Sequence, residues 1–106
     1  MIGCMRVELL VVPDCPNETT AAELLRQALD AAGLDDVNFE TTLVTTLEQA
    51  QARGFIGSPA FVLDGRDPFA ASGITPAVAC RVYRTVKGFA GTPDVVDLVT
   101  AIRARS

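Results

Sequence analysis

The sequence predicts a mixed α/β domain whose elements follow the order β-α-β-α-β-β-α. Three observations support this prediction: a short valine-rich apolar run opens the chain, two stretches with helical apolar spacing separate it from further strand-like runs, and Asp64-Gly65 is a favoured tight-turn pair. A strand–helix–strand unit implies two parallel strands, and the tight turn implies an antiparallel partner. We therefore expect one mixed four-stranded sheet with helices on both faces.

The first strand and the first helix have the clearest patterns. Val7–Val12 is a nearly continuous apolar run rich in β-branched residues, as expected of a strand that is buried on both faces. The helix that follows has one apolar stripe, and Gly33 is a natural terminator for it. The stripe consists of Ala21, Leu25, Ala28, Leu29 and Ala32.

The next two predicted elements are a strand over residues 37–44 and a short helix over residues 45–54. The strand alternates apolar and polar residues, and Gly54 closes the helix. A capping box can begin this helix in either of two ways: Thr45 with Glu48, or Thr46 with Gln49.

The second half of the chain contains two further strands. Residues 59–66 form a strand that ends in the Asp-Gly turn, and residues 66–79 have the composition of a loop. Cys80–Thr85 has strand composition, although a helix beginning at Thr75-Pro76 is an alternative. We favour the strand.

The last predicted element is a helix that runs through Ile102. Thr92 is its expected N-cap, Pro93 occupies the first helical position, and Asp94 lies in the first turn. We expect all the elements to form a single domain over residues 1–106, with residues 1–5 as an N-terminal extension.

The composition restricts the class of function. The 106 residues are 49% hydrophobic and 21% charged, which is enough apolar material for one folded core. The net charge is −4 and the basic residues are spread along the chain, so we expect no nucleic-acid partner. The apolar run Leu9–Val12 is far too short to cross a membrane, and the first ten residues contain no separate signal segment. These features favour a cytoplasmic protein that does not bind membranes.

The chain has three cysteines, Cys4, Cys15 and Cys80, and no histidine. An odd number of cysteines at wide spacing is not a disulfide framework, and the lack of histidine argues against a zinc site. We therefore expect no metal and no cofactor. At least one thiol stays free, which is consistent with a reducing compartment.

Cys15 is the strongest candidate for a reactive residue, because it lies between the first strand and the first helix. If the helix begins at Pro16, Cys15 is the N-cap, and its sulfur lies among unpaired backbone N–H groups at the positive end of the helix dipole. This position favours the thiolate, which is the reactive form. The carboxylates of Asp14 and Glu18 oppose it, so we expect only modest activation.

Two alternatives remain open for Cys15. Thr20 with Glu23 also forms a capping box, and a helix that begins there leaves Cys15 in a loop without help from the dipole. Cys15 can also be an ordinary turn cysteine, because a buried free cysteine packs like a small apolar residue.

Glu18 lies three residues after Cys15, where a dithiol enzyme carries its second sulfur. Reduction through a local pair of thiols is therefore not available. In its simpler role Glu18 is the third helical residue, with its carboxylate reaching back to the backbone N–H of Cys15. In its catalytic role it accepts the thiol proton. We favour the simpler role.

Three motifs together resemble a known family: "DCPN" (14–17), "GSPAFVLDGRD" (57–67) and "CRVYRT" (80–85). Over nearly its whole length the chain is similar to small bacterial proteins with the thioredoxin-like fold. The resemblance implies a cis peptide bond before Pro59, facing the redox cysteine, and a Ser58 whose backbone pairs with an extended thiol substrate. It therefore places Pro16, Ser58 and Pro59 in the substrate-binding site.

Cys80 is the candidate for a second, resolving thiol. If it begins a strand antiparallel to Ala60–Asp64, it lies at the opposite end of the sheet from Cys15, roughly 13–16 Å away. This separation exceeds the roughly 7 Å limit between the Cα atoms of a disulfide. A direct bond requires the 66–79 loop to place Cys80 elsewhere, and a role as core filler fits equally well.

Other enzyme classes fit the sequence poorly. A phosphate-binding loop of the Cys-x5-Arg type requires an arginine at position 21, which is Ala21, and no histidine can pair with a cysteine. We predict a thioredoxin-like monothiol oxidoreductase in which Cys15 exchanges with a small thiol or a protein disulfide. The alternatives are a redox-inactive binding module of the same fold, which could capture mercury-like metal ions through thiolates, and a structural or dimerising domain.

Overall fold

The computed structural model describes residues 6–69 and 76–105. In these ranges the chain is mixed α/β, with three helices and a small mixed sheet. The elements are β1 (Val7–Val11), α1 (Glu18–Ala31), β2 (Phe39–Leu43), α2 (Leu47–Arg53), β3 (Ala60–Leu63), β4 (Tyr83–Thr85), β5 (Gly88–Ala90) and α3 (Val95–Arg105). The predicted N-terminal extension with Cys4, and the alternative helix start at Thr75, lie outside the described residues.

β1 is the central strand of the three-stranded sheet that the described residues form. It pairs in parallel with β2, in a register that places Val7 opposite Phe39, and antiparallel with β3, with Leu10 opposite Ala60. The parallel pair confirms the predicted strand–helix–strand unit. Beyond β3 the Asp-Gly turn is also confirmed, because the chain reverses there and Leu63 forms an antiparallel bridge with Arg66.

The expected four-stranded sheet is not confirmed within the described ranges. β4 pairs instead with β5, with Tyr83 opposite Ala90. The sequence analysis did not predict β5, because the turn between the two strands, Val86-Lys87, lacks the Asn-Gly or Asp-Gly pair that marks a hairpin. The predicted strand at Cys80–Thr85 is therefore confirmed only in its last three residues.

The helices cover both faces of the sheet, as predicted. Successive side chains of a strand point to opposite faces, so β1 contributes to two separate apolar clusters. The cluster beneath α1 and α3 includes Leu9, Val11, Leu25, Leu29, Leu98 and Ile102, all essentially inaccessible to solvent. The cluster on the α2 side includes Leu10, Val44, Ala50, Phe55, Ala60 and Val62.

The observed ends of α2 agree with those predicted from the sequence, whereas the observed start of α3 does not. Thr46 and Gln49 form one of the two capping boxes predicted for α2, and Gly54 ends that helix in the left-handed conformation, with φ of 63°. α3 begins at Val95 rather than next to Thr92, because its first helical hydrogen bond runs from the Leu98 N–H to the Asp94 carbonyl. No helix in the described ranges combines the length and apolar character needed to span a bilayer.

Candidate active site around Cys15

Cys15 lies in the turn that joins β1 to α1. The chain reverses at Asp14, which has a positive φ of 59°, and the side chain of Cys15 then joins the apolar cluster beneath α1 and α3. Only 8% of the residue's surface is accessible to solvent. The sulfur is therefore largely covered by protein, and what covers it decides what it can do.

Neither predicted start of α1 is correct. The helix begins at Glu18 with Asn17 as its N-cap, so Cys15 lies two residues before the cap. The reason is local: the Glu18 N–H bonds to the carbonyl of Cys15 across a turn, and the first true helical bond runs from Ala21 to Asn17. Cys15 is consequently not the N-cap residue, and the helix-terminus argument for its activation is not supported by the structure.

Glu18 contacts Cys15 through the backbone alone. It is the first residue of α1, where a carboxylate interacts favourably with the helix dipole. Its carboxylate makes no hydrogen bond or ion pair with any described residue, so the predicted bond to the backbone N–H of Cys15 is absent. A catalytic role for Glu18 stays a prediction, as does the substrate contact assigned to the exposed Pro16.

Ser58 lies against Cys15, and Pro59 follows it directly. The peptide bond between them is cis, which confirms that prediction, and both residues are buried. The Ser58 hydroxyl donates a hydrogen bond to the Cys15 sulfur at 2.9 Å. The same oxygen accepts a hydrogen bond from the backbone N–H of Val12 at 3.1 Å. This N–H uses one of the two lone pairs of the oxygen, and the hydroxyl hydrogen remains available for donation to the sulfur.

The backbone of Ser58, in contrast, is already paired within the chain. Its N–H donates to the carbonyl of Ala79 at 2.8 Å, and its carbonyl accepts from the N–H of Arg81 at 2.9 Å. The resemblance implies that these groups face an incoming substrate, whereas in the structure described both are bonded within the chain, and the substrate-binding role of the Ser58 backbone stays a prediction. The side chain of Ser58, rather than its backbone, is the part that faces the candidate reactive atom.

Cys80 is not at the opposite end of the sheet from Cys15. It forms a parallel bridge with Ser58, the residue whose hydroxyl contacts the Cys15 sulfur, so the predicted antiparallel placement is wrong. The physical reason is that residues 79–81 pair with the residues before β3 and not with β3 itself. Cys80 is exposed and lines a groove of about 460 Å³, together with Phe69, Arg84 and Asp97. Cys15 is not among the lining residues of this groove.

A buried polar network holds the segment that contains Cys80. Arg81 forms an ion pair with Asp67, and the two side chains are only 8% and 11% exposed. A second nitrogen of Arg81 donates to the carbonyl of Phe69 at 2.7 Å, and the guanidinium lies 4.6 Å from the centre of the Tyr83 ring. The Tyr83 hydroxyl donates to the carbonyl of Pro59. The network therefore connects directly to the cis-prolyl residue.

Tyr83 is held as a neutral phenol. Burial raises the pKa of its hydroxyl far above the ordinary value, Arg81 opposes the rise, and Asp67 adds to it. The rings of Phe61 and Phe69 contact Tyr83 edge-on, with centroids 6.1 Å and 5.4 Å away. A neutral hydroxyl keeps its proton for the hydrogen bond to the Pro59 carbonyl.

The sequence reasoning did not find this network, although part of its signal was present. In an extended segment, residues two apart face the same way, so Arg81 and Tyr83 of the "CRVYRT" motif share a side. Asp67, the partner of Arg81, lies fourteen positions before it, beyond the tight turn, and no local pattern links the two. In the described ranges, no group of three or more Cys, Asp or Glu side chains could hold a metal ion.

We compared the chain with protein-family models, with curated proteins and with solved structures, and none of the three comparisons gave a match.

Proposed function

We propose that this chain is a monothiol oxidoreductase with a thioredoxin-like fold, in which Cys15 carries out thiol–disulfide exchange. The observation that supports this function best is the hydrogen bond from the Ser58 hydroxyl to the Cys15 sulfur. Ser58 is fully buried, and its hydroxyl oxygen is held in place by the Val12 N–H. Hydrogen bonds to an ionised acceptor are stronger than those to a neutral one, so this arrangement suits a sulfur that becomes a thiolate.

The reaction requires one protein sulfur and two small molecules. The Cys15 thiolate attacks one sulfur of a disulfide RSSR, the bond between Cys15 and that sulfur forms, and the leaving thiolate RS⁻ takes the electron pair of the broken S–S bond. A second small thiol, as its thiolate, then attacks the mixed disulfide. A new small disulfide leaves, and Cys15 is returned as the thiolate.

A second small thiol completes the proposed cycle, because Cys15 has no disulfide partner among the described residues. Glu18 occupies the position of a resolving cysteine, and the exposed Cys80 lines a groove to which Cys15 does not contribute. Both cysteines are free thiols. Free thiols persist in reducing compartments, and we therefore place the protein in the cytoplasm as part of the proposal.

The thioredoxin-like fold is supported by three features of the described residues. A parallel β1–β2 pair is followed by an antiparallel β3, helices cover both faces, and a cis-proline precedes β3, directly after the serine whose hydroxyl contacts the cysteine that follows β1. We propose that the expected fourth strand corresponds to the segment that ends in β4, which among the described residues bridges to Ser58, just before β3.

The test is to trap the mixed disulfide on the native protein. Incubation with a small symmetrical disulfide should add one half of it to Cys15, as found by peptide mass mapping. The adduct at this position should be absent from Cys15→Ser and retained in Cys80→Ser. If several small disulfides leave Cys15 unmodified in the folded protein while they modify the exposed Cys80, the proposed function is wrong.

The burial of Cys15 favours a second candidate, a redox-inactive binding module of the same fold. With 8% of its surface accessible and its side chain in an apolar cluster, Cys15 can be a packing residue. In that case alkylating reagents modify Cys80 in the folded protein and reach Cys15 only on unfolding. Capture of mercury-like ions would need two sulfurs, so equal loss of binding in Cys15→Ser and Cys80→Ser would indicate a shared site.

A further inference from the structure

The backbone hydrogen-bonding groups of Ser58 and Pro59 are bonded to other residues of this chain. The Ser58 N–H and carbonyl are both bonded to the 79–81 segment, at 2.8 Å and 2.9 Å, and the Pro59 carbonyl accepts the Tyr83 hydroxyl. Pro59 has no N–H to offer. An extended substrate that adds as a strand needs the N–H and the carbonyl of one residue to face it together. At this site both are occupied.

The 79–81 segment is fixed in this position by buried contacts. The Arg81 side chain is 8% exposed and is paired with Asp67, and its second nitrogen bonds to the Phe69 carbonyl. At Gly57 a Cβ atom would lie only 2.7 Å from the Cβ of Arg81, so the two backbones are in close contact. Displacing the segment to admit another strand would leave the Arg81 and Asp67 charges without each other, which is costly for buried groups.

We infer that the substrate of Cys15 is a small-molecule disulfide and not a disulfide within an extended polypeptide. This inference rests on the proposed function and names its substrate class. A small disulfide needs to contact only the sulfur of Cys15. An extended polypeptide gains its affinity from backbone hydrogen bonds, and the groups of Ser58 and Pro59 that would form them are bonded within the chain. The limited exposure of Cys15 also favours a small substrate over a polypeptide.

The test compares three disulfides that each contain 2-mercaptoethanol, and it counts the adducts formed when 2-mercaptoethanol is the leaving thiol. The first is bis(2-hydroxyethyl) disulfide. The second is the mixed disulfide of 2-mercaptoethanol with the central cysteine of an eight-residue peptide. The third is the same mixed disulfide with N-methyl groups on both residues that flank the cysteine. The rate of adduct formation at Cys15 is measured by peptide mass mapping on Cys80→Ser protein. We expect the small disulfide to react fastest and the two peptides to react at equal rates.

Strand addition would give a different result. N-methylation removes backbone donors, so a peptide that adds to Ser58 would react about tenfold slower when methylated. Such a loss, or a peptide that reacts faster than the small disulfide, would overturn the substrate class and leave the proposed exchange intact. Absence of any adduct at Cys15 would overturn both.

A second measurement does not depend on the thiol. In Cys15→Ser protein, the amide hydrogens of Ser58 and Arg81 should exchange slowly with solvent, because they are bonded to Ala79 and Ser58. A large excess of the eight-residue peptide in its reduced form should leave both exchange rates unchanged. Faster exchange at Arg81 on peptide addition would show that the peptide displaces residues 79–81 from Ser58, and it would contradict the inference.

Discussion

Ser58 uses its backbone and its side chain for different purposes. The backbone bonds to residues 79–81, and the hydroxyl bridges the Val12 N–H and the Cys15 sulfur. The resemblance assigned the functional role to the backbone, and the structure places the hydroxyl against the candidate reactive atom. At the scale of single residues, the position of one oxygen therefore carries the chemical argument.

Replacing Ser58 with alanine tests this argument. We expect Ser58→Ala to slow alkylation of Cys15 at neutral pH about fivefold, because one hydrogen bond to the sulfur is lost. The measurement is the rate of modification by iodoacetamide at Cys15, with the exposed Cys80 in the same sample as the internal reference. Thr85→Ala is the matched control, since its hydroxyl bonds to the Gly88 carbonyl in the β4–β5 turn. An unchanged or faster rate in Ser58→Ala would contradict the proposed role.

Tyr83 gives a prediction about alkaline pH. In the unfolded chain its phenol ionises near the ordinary value of 10.0, whereas burial raises its pKa in the folded protein. Above pH 10 the unfolded chain therefore binds fewer protons than the folded one, and the free energy of unfolding should fall by about 1.4 kcal/mol per pH unit. Below pH 10 this residue should cause no change with pH.

Absorbance can follow this titration directly, because the chain has one tyrosine and no tryptophan. The tyrosinate band should stay absent from the folded protein above pH 10 and appear together with unfolding. In Tyr83→Phe the alkaline decrease in stability should be smaller by the contribution of this one residue. A tyrosinate band that appears near pH 10 in folded protein would show that Tyr83 is not buried as described.

Some of the site could be predicted from the sequence and some could not, for reasons that these residues illustrate. Cys15 and Pro59 were found because a cysteine after a strand and a proline before one are signals readable in a few consecutive letters. The hydroxyl of Ser58 meets a sulfur 43 positions away, and Tyr83 reaches a carbonyl 24 positions away. Contacts of that kind depend on how the elements pack, and no local pattern encodes them.

The same distinction holds for whole elements. The ends of α2 could be predicted, although two capping boxes were possible at its start and only the structure shows that Thr46 and Gln49 form it. Gly54 marked the other end, because a left-handed glycine is a local signal. At the start of α1 two local signals competed, and a turn at residues 15–18 excluded both. β5 was missed because the hairpin turn before it has none of the usual turn residues.

The turn before β3 gives a prediction at this scale. Gly57 has a φ of 144°, and an added Cβ would lie 2.7 Å from the Cβ and 3.2 Å from the Cα of Arg81. Gly57→Ala should therefore lower the free energy of unfolding by about 3 kcal/mol, from backbone strain and overlap with fixed atoms together. Denaturant unfolding measures the loss.

Gly65→Ala separates the two causes in that measurement. Gly65 also has a positive φ, of 81°, but nothing lies within 4 Å of an added Cβ. Only the strain remains, and we expect a loss of about 1 kcal/mol. Equal losses in the two variants would mean that the close approach of residues 57 and 81 does not contribute.

At the scale of the whole molecule, β1 separates two apolar clusters, and polar groups are buried on each side. On the α2 side Glu8 is 6% exposed and pairs with Arg53 at 2.7 Å. Near the candidate site, Arg81 is paired with Asp67, and Arg81 belongs to the segment 79–81 that bonds to the backbone of Ser58. The second pair has a consequence for function, because it holds this segment in place.

Breaking that pair gives the final prediction. Asp67→Ala removes the partner of the buried Arg81 guanidinium and the acceptor of the Phe69 N–H, so the free energy of unfolding should fall by about 3 kcal/mol. The control is Asp30→Ala, which breaks the Arg26–Asp30 pair on the surface of α1, where 53% of the Asp30 side chain is exposed. That loss should not exceed about 0.5 kcal/mol, because water screens exposed pairs. Both values come from denaturant unfolding, and faster amide exchange at Arg81 in Asp67→Ala alone should accompany the larger loss. Similar losses in the two variants would mean that the buried pair does not hold the segment, and a polypeptide strand could then displace it from Ser58.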